Sequence, residues 1–451
     1  MWEQLHPGHV AVVFGGAVAG AEVVDTLTAR GVYCVVVERA ALPWGKIEWG
    51  LPKWHVKQRQ QEEALIDAKM DHPYVEFVPN TELGRDVTLE EVLRLPVSAV
   101  FLAIGAWKDR PLPIPGIDEF VGKGLAYQNP FVAWYNETPD ACVAEGEYRV
   151  EDGAVVIGGG LASLDVAKIL MLETTRCTLR RLGHDVDLVT LEKKGIPKTL
   201  EQLGLEWKDL GLKGCTLYYR RRAEDMPLVP VEGRPTGEQL AQLQKIRVKV
   251  LETARSKYLF HFEPCCVPVD KIVEDGRLVG LVFQRTEVVE GKARPLPGTE
   301  FPVRAPLVVS SIGSIPEPIP GVPMESELYV LEDDESCRVK GYRNVFAVGN
   351  AVTGTGNIRN SRLHARRVAH WVLEHHLAWR EADWEQLREL LARGDRSTLG
   401  AWATEKGLRS EGELAAVLEW ARQQQQRVGY DGHYRAWIER VRGNAVVGSR
   451  D

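Results

Sequence analysis

Two glycine-rich turns, each between an apolar strand and a helix, constrain the fold of this chain more than any other feature. The first lies in HVAVVFGGAVAGAEVV, where residues 15–20 follow the strand, and the second in GAVVIGGGLASLDVAKIL, where residues 158–160 follow it. Such a unit cradles a pyrophosphate, because the helix offers unpaired N–H groups and the positive end of its dipole. Two such units predict an α/β chain with two dinucleotide-binding domains, as in two-nucleotide oxidoreductases.

The first turn departs from the G-x-G-x-x-G pattern at one place. Ala17 stands at the second glycine, where a methyl group comes close to the expected phosphate. Glu38 ends the next strand, at the distance where an acidic side chain binds ribose hydroxyls. The alternative is a strand–helix unit that binds nothing. The predicted cofactor contacts of this region are Gly15, Ala17, Ala19, Gly20, Glu38 and Arg39.

Composition excludes several classes of protein. A length of 451 residues with 44% hydrophobic and 26% charged residues predicts two or three globular domains. The formal charge of −7 argues against nucleic acid as a partner, because that binding needs a broad basic surface. The first residues do not fit a signal peptide and no stretch reaches transmembrane length without charge, so we expect no membrane span.

The seven cysteines predict no metal centre and no redox-active disulfide. They are scattered, and C-x-x-C is absent from the sequence, so an iron–sulfur cluster, a zinc site and a catalytic disulfide lack their usual ligand spacing. We expect buried or idle thiols in a reducing environment, and therefore a cytoplasmic protein.

The loop after Glu38 resembles a flavin-wrapping loop. Glu38, Gly45 and Gly50-Leu51-Pro52 resemble the corresponding residues in the small subunit of glutamate synthase and its relatives. Residues 103–106, AIGA, resemble the A-T-G-A motif at which this superfamily leaves its flavin domain; a buried strand that merely ends in a glycine turn is the alternative. The segment 127–136, YQNPFVAWYN, is similar to one in adrenodoxin reductase and bacterial ferredoxin reductases. The resemblance implies bound FAD, with further contacts from Gly45, Gly50, Leu51, Ala103 and Gly105.

The second turn and a later run of arginines predict an NADPH site. The turn has Leu161 where adrenodoxin reductases usually have Asn and Ser163 where they usually have Ala. One strand later, residues 220–222 are all arginine, and guanidinium groups bind a 2′-phosphate in bidentate fashion. The run is also similar to the Y-R-R…M-P motif of the glutamate synthase small subunit; a solvated surface cluster is the alternative. We predict NADPH, with NADH less favoured, held by Gly158, Gly160, Leu161, Ala162, Arg220 and Arg221.

A third glycine turn, near residue 349, lies in the segment 344–373 that is expected to close the flavin domain. Relatives have Gly-Asp or Gly-Trp where this chain has Gly349-Asn350, and Asn350 removes a charge near the flavin. The turn TGTGN that follows echoes adrenodoxin reductase. The predicted contacts here are Gly349, Asn350, Gly356 and Asn357.

These patterns predict a glutathione-reductase-like fold: two Rossmann-like three-layer dinucleotide-binding domains, with the NAD(P) domain inserted in the FAD domain, plus a small C-terminal α-helical extension. We expect FAD-binding parts at 1–125 and 326–376, an NADPH-binding domain at 126–325 and the extension at 377–451. The extension is too small to support its own core. Its four tryptophans either pack inward or anchor a partner, and we expect residues 381–451 to be removable without loss of flavin chemistry. These tryptophans are Trp384, Trp402, Trp420 and Trp437.

The resemblance implies an FAD-dependent NAD(P)H oxidoreductase in which the flavin, not a catalytic side chain, carries the chemistry. Because no cysteine pair or cluster motif is visible, the electron acceptor is expected to be external: ferredoxin, or an iron–sulfur partner subunit of a larger complex reached through the C-terminal helices. The departures at Ala17, Leu161 and Asn350 leave an alternative, a flavin-binding structural or regulatory subunit of a redox complex without turnover.

Overall fold

The computed structural model describes residues 5–144, 146–229, 235–354 and 357–447, with side chains to residue 443. The chain forms two compact units. The first contains Met1–Glu48, Lys57–Lys108 and Ile315–Asp451, and the second contains Trp49–Val56 and Asp109–Ser314. In chain order, most of the second unit is therefore inserted between two parts of the first.

A five-stranded parallel sheet forms the centre of the first unit. Its strands are β1 (Val10–Phe14), β2 (Tyr33–Val37), β3 (Val75–Val78), β4 (Ala99–Leu102) and β17 (Val345–Ala347). They lie in the order β17-β4-β1-β2-β3, so β1 pairs with both β2 and β4. Every residue of β1 and β2 is buried, because helices cover both faces of a parallel sheet, and this explains the continuous apolar runs VAVVF and YCVVV.

Helices of the first unit carry the chain between these strands. They are α1 (Val18–Thr28), α2 (Lys46–Trp49), α3 (Val56–Met70), α4 (Leu89–Leu93), α10 (Asn350–Thr353) and α11 (Ile358–Trp371). The last residue of α2 and the first residue of α3 are assigned to the second unit. The buried Glu22 of α1 accepts hydrogen bonds from Lys69 of α3 and Arg366 of α11, each at 2.6 Å. Burial alone would raise the pKa of Glu22, but the two cations lower it. One buried carboxylate thus joins three helices.

The second unit contains a parallel and an antiparallel sheet. The parallel strands are β6 (Leu125–Tyr127), β7 (Val155–Gly158), β8 (Thr216–Tyr218), β9 (His261–Glu263) and β13 (Val308–Ser311), in the order β6-β13-β7-β8-β9. The antiparallel strands are β10 (Cys266–Glu274), β11 (Arg277–Val289) and β12 (Lys292–Arg304). The helices are α5 (Gln128–Glu137), α6 (Leu161–Arg181), α7 (Leu188–Lys194), α8 (Ile196–Gln202) and α9 (Gly237–Tyr258).

Several short strands complete the two units. In the first unit, β15 (Met324–Glu325) and β16 (Leu328–Tyr329) form an antiparallel pair. The two-residue strands β5 (Lys108–Asp109) and β14 (Ser314–Ile315) lie where the chain passes from one unit to the other.

The C-terminal extension is part of the first unit. It forms α12 (Glu381–Arg393), α13 (Arg396–Glu405), α14 (Glu411–Arg427) and α15 (Tyr434–Val447). Helix α14 lies against β3, and its apolar side chains Leu414, Val417, Leu418 and Ala421 share one hydrophobic core with the central strands. The buried amide of Gln425 donates to Glu76 and to the carbonyl oxygen of Phe77. The extension therefore supplies core residues that the strands alone do not provide.

The tryptophans of the extension pack inward, as predicted for one of the two alternatives. Trp402 and Trp437 are buried, Trp420 packs against the central core, and the ring of Trp384 lies where a side chain on Gly31 would be. The expectation that residues 381–451 can be removed without loss of flavin chemistry does not fit this packing, because their loss would uncover the core of the first unit. No helix in the described ranges is both long and apolar enough to cross a lipid bilayer.

One disulfide corrects the expectation of idle thiols. Cys142, after α5, is bonded to Cys177 in α6, 35 residues later. The pair carries no sequence motif, because it forms only when α5 packs on α6. Glu173 lies close to both sulfurs, but its carboxylate already accepts from Tyr135 at 2.9 Å and Arg176 at 2.8 Å.

Candidate functional site

The turn between β1 and α1 has no room for side chains at its glycines. Gly15 has φ +95°, and a Cβ there would lie 2.6 Å from the carbonyl oxygen of Ala103. A Cβ on Gly20 would lie 1.8 Å from the carbonyl oxygen of Gly15. No side chain caps α1 at Ala17, and uncapped N–H groups at a helix start are the donors that a pyrophosphate accepts from.

Ala17 is accommodated by a second small residue. Gly45, in the loop before α2, has φ +49°, and a Cβ there would lie only 2.8 Å from the Cβ of Ala17. The methyl group that departs from the usual glycine pattern is therefore directed toward Gly45, which leaves space for it. The two predicted residues form one contact.

The side chain of Glu38 binds the backbone of the same turn. Its side chain is 6% exposed, and its carboxylate accepts from the backbone N–H of Gly16 at 2.8 Å and of Ala40 at 3.0 Å. Burial raises the pKa of Glu38, while these N–H donors and Arg39 act in the opposite direction. Because a carboxylate has about four acceptor sites, a ribose hydroxyl can still donate to it.

Arg39 contacts Trp107, a candidate site residue that the sequence pattern did not indicate. Its guanidinium carbon lies 4.3 Å from the ring centroid of Trp107, and Nη1 donates to Glu317 at 2.9 Å. Lys46 lies 5.4 Å from the same ring centroid. Trp107 follows AIGA directly, so an aromatic residue after that motif is the signal that could have revealed it.

The other predicted residues of the first unit lie around the same turn. The Cβ of Ala103 is 3.5 Å from the position of a Cβ on Gly20, and a Cβ on Gly349 would lie 2.6 Å from that of Ala19. Gly105 has φ +70° and lies beside the indole nitrogen of Trp107. The turns that follow β1, β4 and β17 therefore meet at one place, as the parallel sheet requires.

Two of the three predicted residues after Gly349, Asn350 and Asn357, lie at the starts of helices. Asn350 begins α10 and is half-buried. Asn357 caps α11 by accepting from the N–H of Asn360 at 2.8 Å. Gly356 lies outside the described residues.

Gly50 and Leu51 belong to the second unit. The side-chain amide of Asn136, at the end of α5, donates to the carbonyl oxygens of Trp49 at 3.3 Å and of Leu51 at 2.9 Å. The segment YQNPFVAWYN thus fixes the backbone on both sides of Gly50.

The second dinucleotide turn, between β7 and α6, also has no room for a side chain at two of its glycines. A Cβ on Gly158 would lie 2.2 Å from the carbonyl oxygen of Ser311, and one on Gly159 would lie 2.1 Å from the ring of Tyr219. Gly160 has no atom within 4 Å of such a Cβ, and no side chain caps α6 there. The face of the turn at Gly160 is therefore open to an anion.

The departures at residues 161–163 do not obstruct the turn. Leu161 is the first residue of α6 and is 46% exposed, and Ala162 follows it. Ser163 is buried, and its hydroxyl donates to the carbonyl oxygen of Ser311 at 3.0 Å. The hydroxyl that replaces the usual methyl therefore has a partner that ties α6 to β13.

The three arginines after β8 have different partners. Arg222 is paired with Asp225 at 2.9 Å and Glu224 at 3.3 Å. Arg221 donates from Nε to the hydroxyl of Tyr219 at 3.0 Å and from Nη1 to the carbonyl oxygen of Gly291. Arg220 is exposed, and its guanidinium has no ion pair among the described residues. Of the three arginines, Arg220 is therefore the one whose guanidinium has neither an ion pair nor a hydrogen bond in the described part of the chain.

The geometry of each turn fits a dinucleotide. In the first unit, backbone replaces side chains at Gly15 and Gly20 and α1 begins uncapped, which is the arrangement that the pyrophosphate of FAD requires. In the second unit, the open face at Gly160 and the exposed Arg220 fit the pyrophosphate and the 2′-phosphate of NADPH.

Residues 8–206 match the family of pyridine nucleotide-disulphide oxidoreductases. The chain is 26% identical to the mitochondrial NADPH:adrenodoxin oxidoreductase of Arabidopsis thaliana, over 72% of this chain and 71% of that one. It is 25% identical to NADPH-ferredoxin reductase FprA of Mycobacterium leprae, over 82% and 84% of the two chains. The predicted resemblance is confirmed. The predicted enzyme class, an FAD-dependent NAD(P)H oxidoreductase, and its cofactors agree with these similarities.

The fold is also similar to a solved structure, that of Mycobacterium tuberculosis FprA in complex with NADPH. The TM-score is 0.64 at 22% identity, and the match covers 93% of this chain and 91% of that one. The predicted fold class, with its helical C-terminus, is therefore confirmed.

Proposed function

We propose that this protein passes electrons from NADPH, through FAD, to an external iron–sulfur protein such as a ferredoxin. The observation that carries the proposal is the pair of strand–turn–helix cradles, one in each unit, with the exposed Arg220 after β8, the strand that pairs with β7 of the second cradle. The similarity of the chain to an NADPH:adrenodoxin oxidoreductase and to an NADPH-ferredoxin reductase supports the same function.

The residues of each unit have separate tasks in this proposal. In the first unit the turn at Gly15–Gly20 and the turn at Gly349 hold the pyrophosphate side of FAD, with Glu38 on the ribose. In the second unit the turn at Gly158–Gly160 and Arg220 hold NADPH. When bound there, FAD would supply the redox chemistry, which is uptake of a hydride and release of two electrons one at a time. The chain's own contribution is to bind and orient one dinucleotide in each unit.

The acceptor is proposed to be external because the bonded cysteines are far from the nucleotide turn. Cys177 is sixteen positions beyond Leu161 in the same helix, which places it about 24 Å along the axis from the start of α6. The five free cysteines are Cys34, Cys215, Cys265, Cys266 and Cys337. Within the described residues these thiols form no group of three potential ligands, so an internal cluster has no donor set there.

The alternative of a flavin-binding subunit without turnover rested on three departures from the family pattern. The contact of Ala17 with Gly45 removes one of them, and the exposure of Leu161 removes another, because neither side chain obstructs its turn. The similarities to reductases do not support the alternative either. A cytoplasmic location and membership of a larger complex stay part of the proposal.

Anaerobic titration of the purified protein with NADPH tests the function. We expect the visible flavin absorption to bleach at about one equivalent, and the reduced protein to reduce a [2Fe–2S] ferredoxin. Bound flavin that NADPH does not bleach would favour the non-turnover alternative. Bleaching and dye reduction without transfer to any ferredoxin would show that the acceptor is of another class.

A further inference from the structure

The C-terminal helix α15 contacts a loop that lies directly on the first dinucleotide turn. We call residues 41–45 the covering loop. A Cβ on Gly16 would lie 2.7 Å from the Cβ of Pro43, and a Cβ on Gly45 would lie 2.8 Å from that of Ala17. The covering loop therefore touches the turn at two successive residues.

Three side chains of α15 hold the covering loop or its partner in α3. The indole nitrogen of Trp437 donates to the carbonyl oxygen of Ala41 at 2.7 Å. The hydroxyl of Tyr434 donates to Asp67 at 2.7 Å, and Trp44 of the covering loop donates to the same carboxylate oxygen at 2.9 Å. The guanidinium carbon of Arg442 lies 4.1 Å from the ring centroid of Trp44.

These contacts are made by buried groups. Trp44 is 3% exposed, Trp437 6% and Tyr434 7%. A loop of this kind has no regular hydrogen-bonded partner strand, so its backbone stays ordered only if other groups offset the entropy of fixing it. The contacts from α15 supply that restraint from outside the dinucleotide fold.

We propose that Trp437 and Tyr434 are positioning residues for the covering loop, so that α15 determines how firmly the first turn is closed over FAD. The proposal rests on the proposed function, because FAD is the ligand of that turn. It assigns the extension a role in the flavin site, and the partner contact expected from the sequence stays a separate prediction.

The test compares two tryptophans that make the same type of bond in different places. Trp437→Phe removes the bond to Ala41, whereas Trp379→Phe removes a 2.8 Å bond from an indole nitrogen to the carbonyl oxygen of Arg30, at the end of α1. Both variants lose one buried indole–carbonyl bond and should unfold at similarly reduced temperatures. We expect FAD to dissociate about five-fold more readily from Trp437→Phe only, with a changed visible spectrum of the bound flavin. Tyr434→Phe should give a smaller change in the same direction.

A second measurement needs no flavin. Hydrogen exchange of the amides of residues 44–48 in the FAD-free protein should be faster in Trp437→Phe than in Trp379→Phe. Equal FAD affinity and equal exchange in the two variants would overturn the inference, as would equal weakening in both. If the wild-type protein binds no FAD but the exchange difference is present, the proposed function fails while the support of the loop by α15 stands.

Discussion

Gly349 donates its backbone N–H to Nδ1 of His364 at 3.0 Å, which leaves the proton of the neutral imidazole on Nε2. That nitrogen faces the sulfur of Cys337 at 3.5 Å. Gly349 itself lies against Ala19 of α1. A histidine of α11 thus connects the turn after β17 to a buried thiol.

Replacing His364 should weaken the flavin turn. His364→Leu leaves the buried N–H of Gly349 without an acceptor, which costs about 1–3 kcal/mol, so we expect FAD to bind on the order of ten-fold more weakly in a fluorescence titration. His364→Gln retains an acceptor and should recover most of the affinity. His370→Leu, the same change at an exposed position of the same helix, is the control. If His364→Gln is as weak as His364→Leu, the ring serves packing and not hydrogen bonding.

The buried His9 and the half-buried His364 predict how stability depends on pH. Burial lowers the pKa of His364 to about 4, aided by Arg367. Burial also lowers the pKa of His9 to about 4, with Arg409 and His376 acting in the same direction and Asp383 opposing them. The unfolded chain takes up these protons near the ordinary pKa of 6.5, whereas the folded chain does so only near 4.

The stabilisation from these neutral histidines is therefore complete above about pH 6.5 and is lost as the pH falls toward 4. For His9 the slope is up to about 1.4 kcal/mol per pH unit. Urea unfolding of the protein at pH 7, 6 and 5 measures the slope. His9→Gln should flatten it, and an unchanged slope in that variant would contradict the assignment to His9.

The choice of nicotinamide cofactor should depend on Arg220 more than on its neighbours. Because its guanidinium is exposed and forms no ion pair with the residues that the structure describes, Arg220→Ala should raise the KM for NADPH about ten- to hundred-fold and leave the KM for NADH nearly unchanged. Arg222→Ala is the matched control, since Arg222 is already paired with Asp225. Steady-state kinetics with both cofactors and an artificial dye measures the split. An equal loss with NADPH and NADH in Arg220→Ala would show a structural role.

Alanine substitutions at Gly20 and Gly160 should distinguish an effect on folding from an effect on NADPH binding. Gly20→Ala places a methyl group 1.8 Å from the carbonyl oxygen of Gly15, and such overpacking costs about 1–3 kcal/mol or more. Gly160→Ala meets no atom within 4 Å and its extended backbone accepts alanine, so the fold should be unaffected. The added methyl lies on the face open to the pyrophosphate, so NADPH binding should weaken. Thermal unfolding and NADPH titration of both variants check the prediction, and intact NADPH binding in Gly160→Ala would place the pyrophosphate elsewhere.

The dinucleotide turns were visible in the sequence because their physical requirements are local. A strand, a turn without room for side chains and a helix start lie within about twenty residues, and Gly15 and Gly20 show the constraint directly. The sequence also placed Gly15–Gly20, Ala103 and Gly349 in one fold, and the structure brings them together.

Contacts between distant residues could not be predicted in this way. Cys142 and Cys177 meet through the packing of two helices, and no spacing rule applies to such a pair. The docking of α14 on β3 and of α15 on the covering loop depends on tertiary surfaces formed by segments some 340–400 positions apart in the chain. An amphipathic pattern indicates that a helix needs a partner surface but not which one.

The contact between Ala17 and Gly45 makes the history of the first turn dependent on the order of substitutions. As long as a methyl group occupies position 17, any side chain at position 45 meets it at 2.8 Å. A lineage that carries this sequence must therefore lose the methyl at 17 before it can gain one at 45, and even then only a residue that tolerates φ +49° is accepted. We therefore expect positions 17 and 45 to vary together among close homologues. A glycine motif that treats position 17 by itself would count the alanine as a defect, although Gly45 compensates for it.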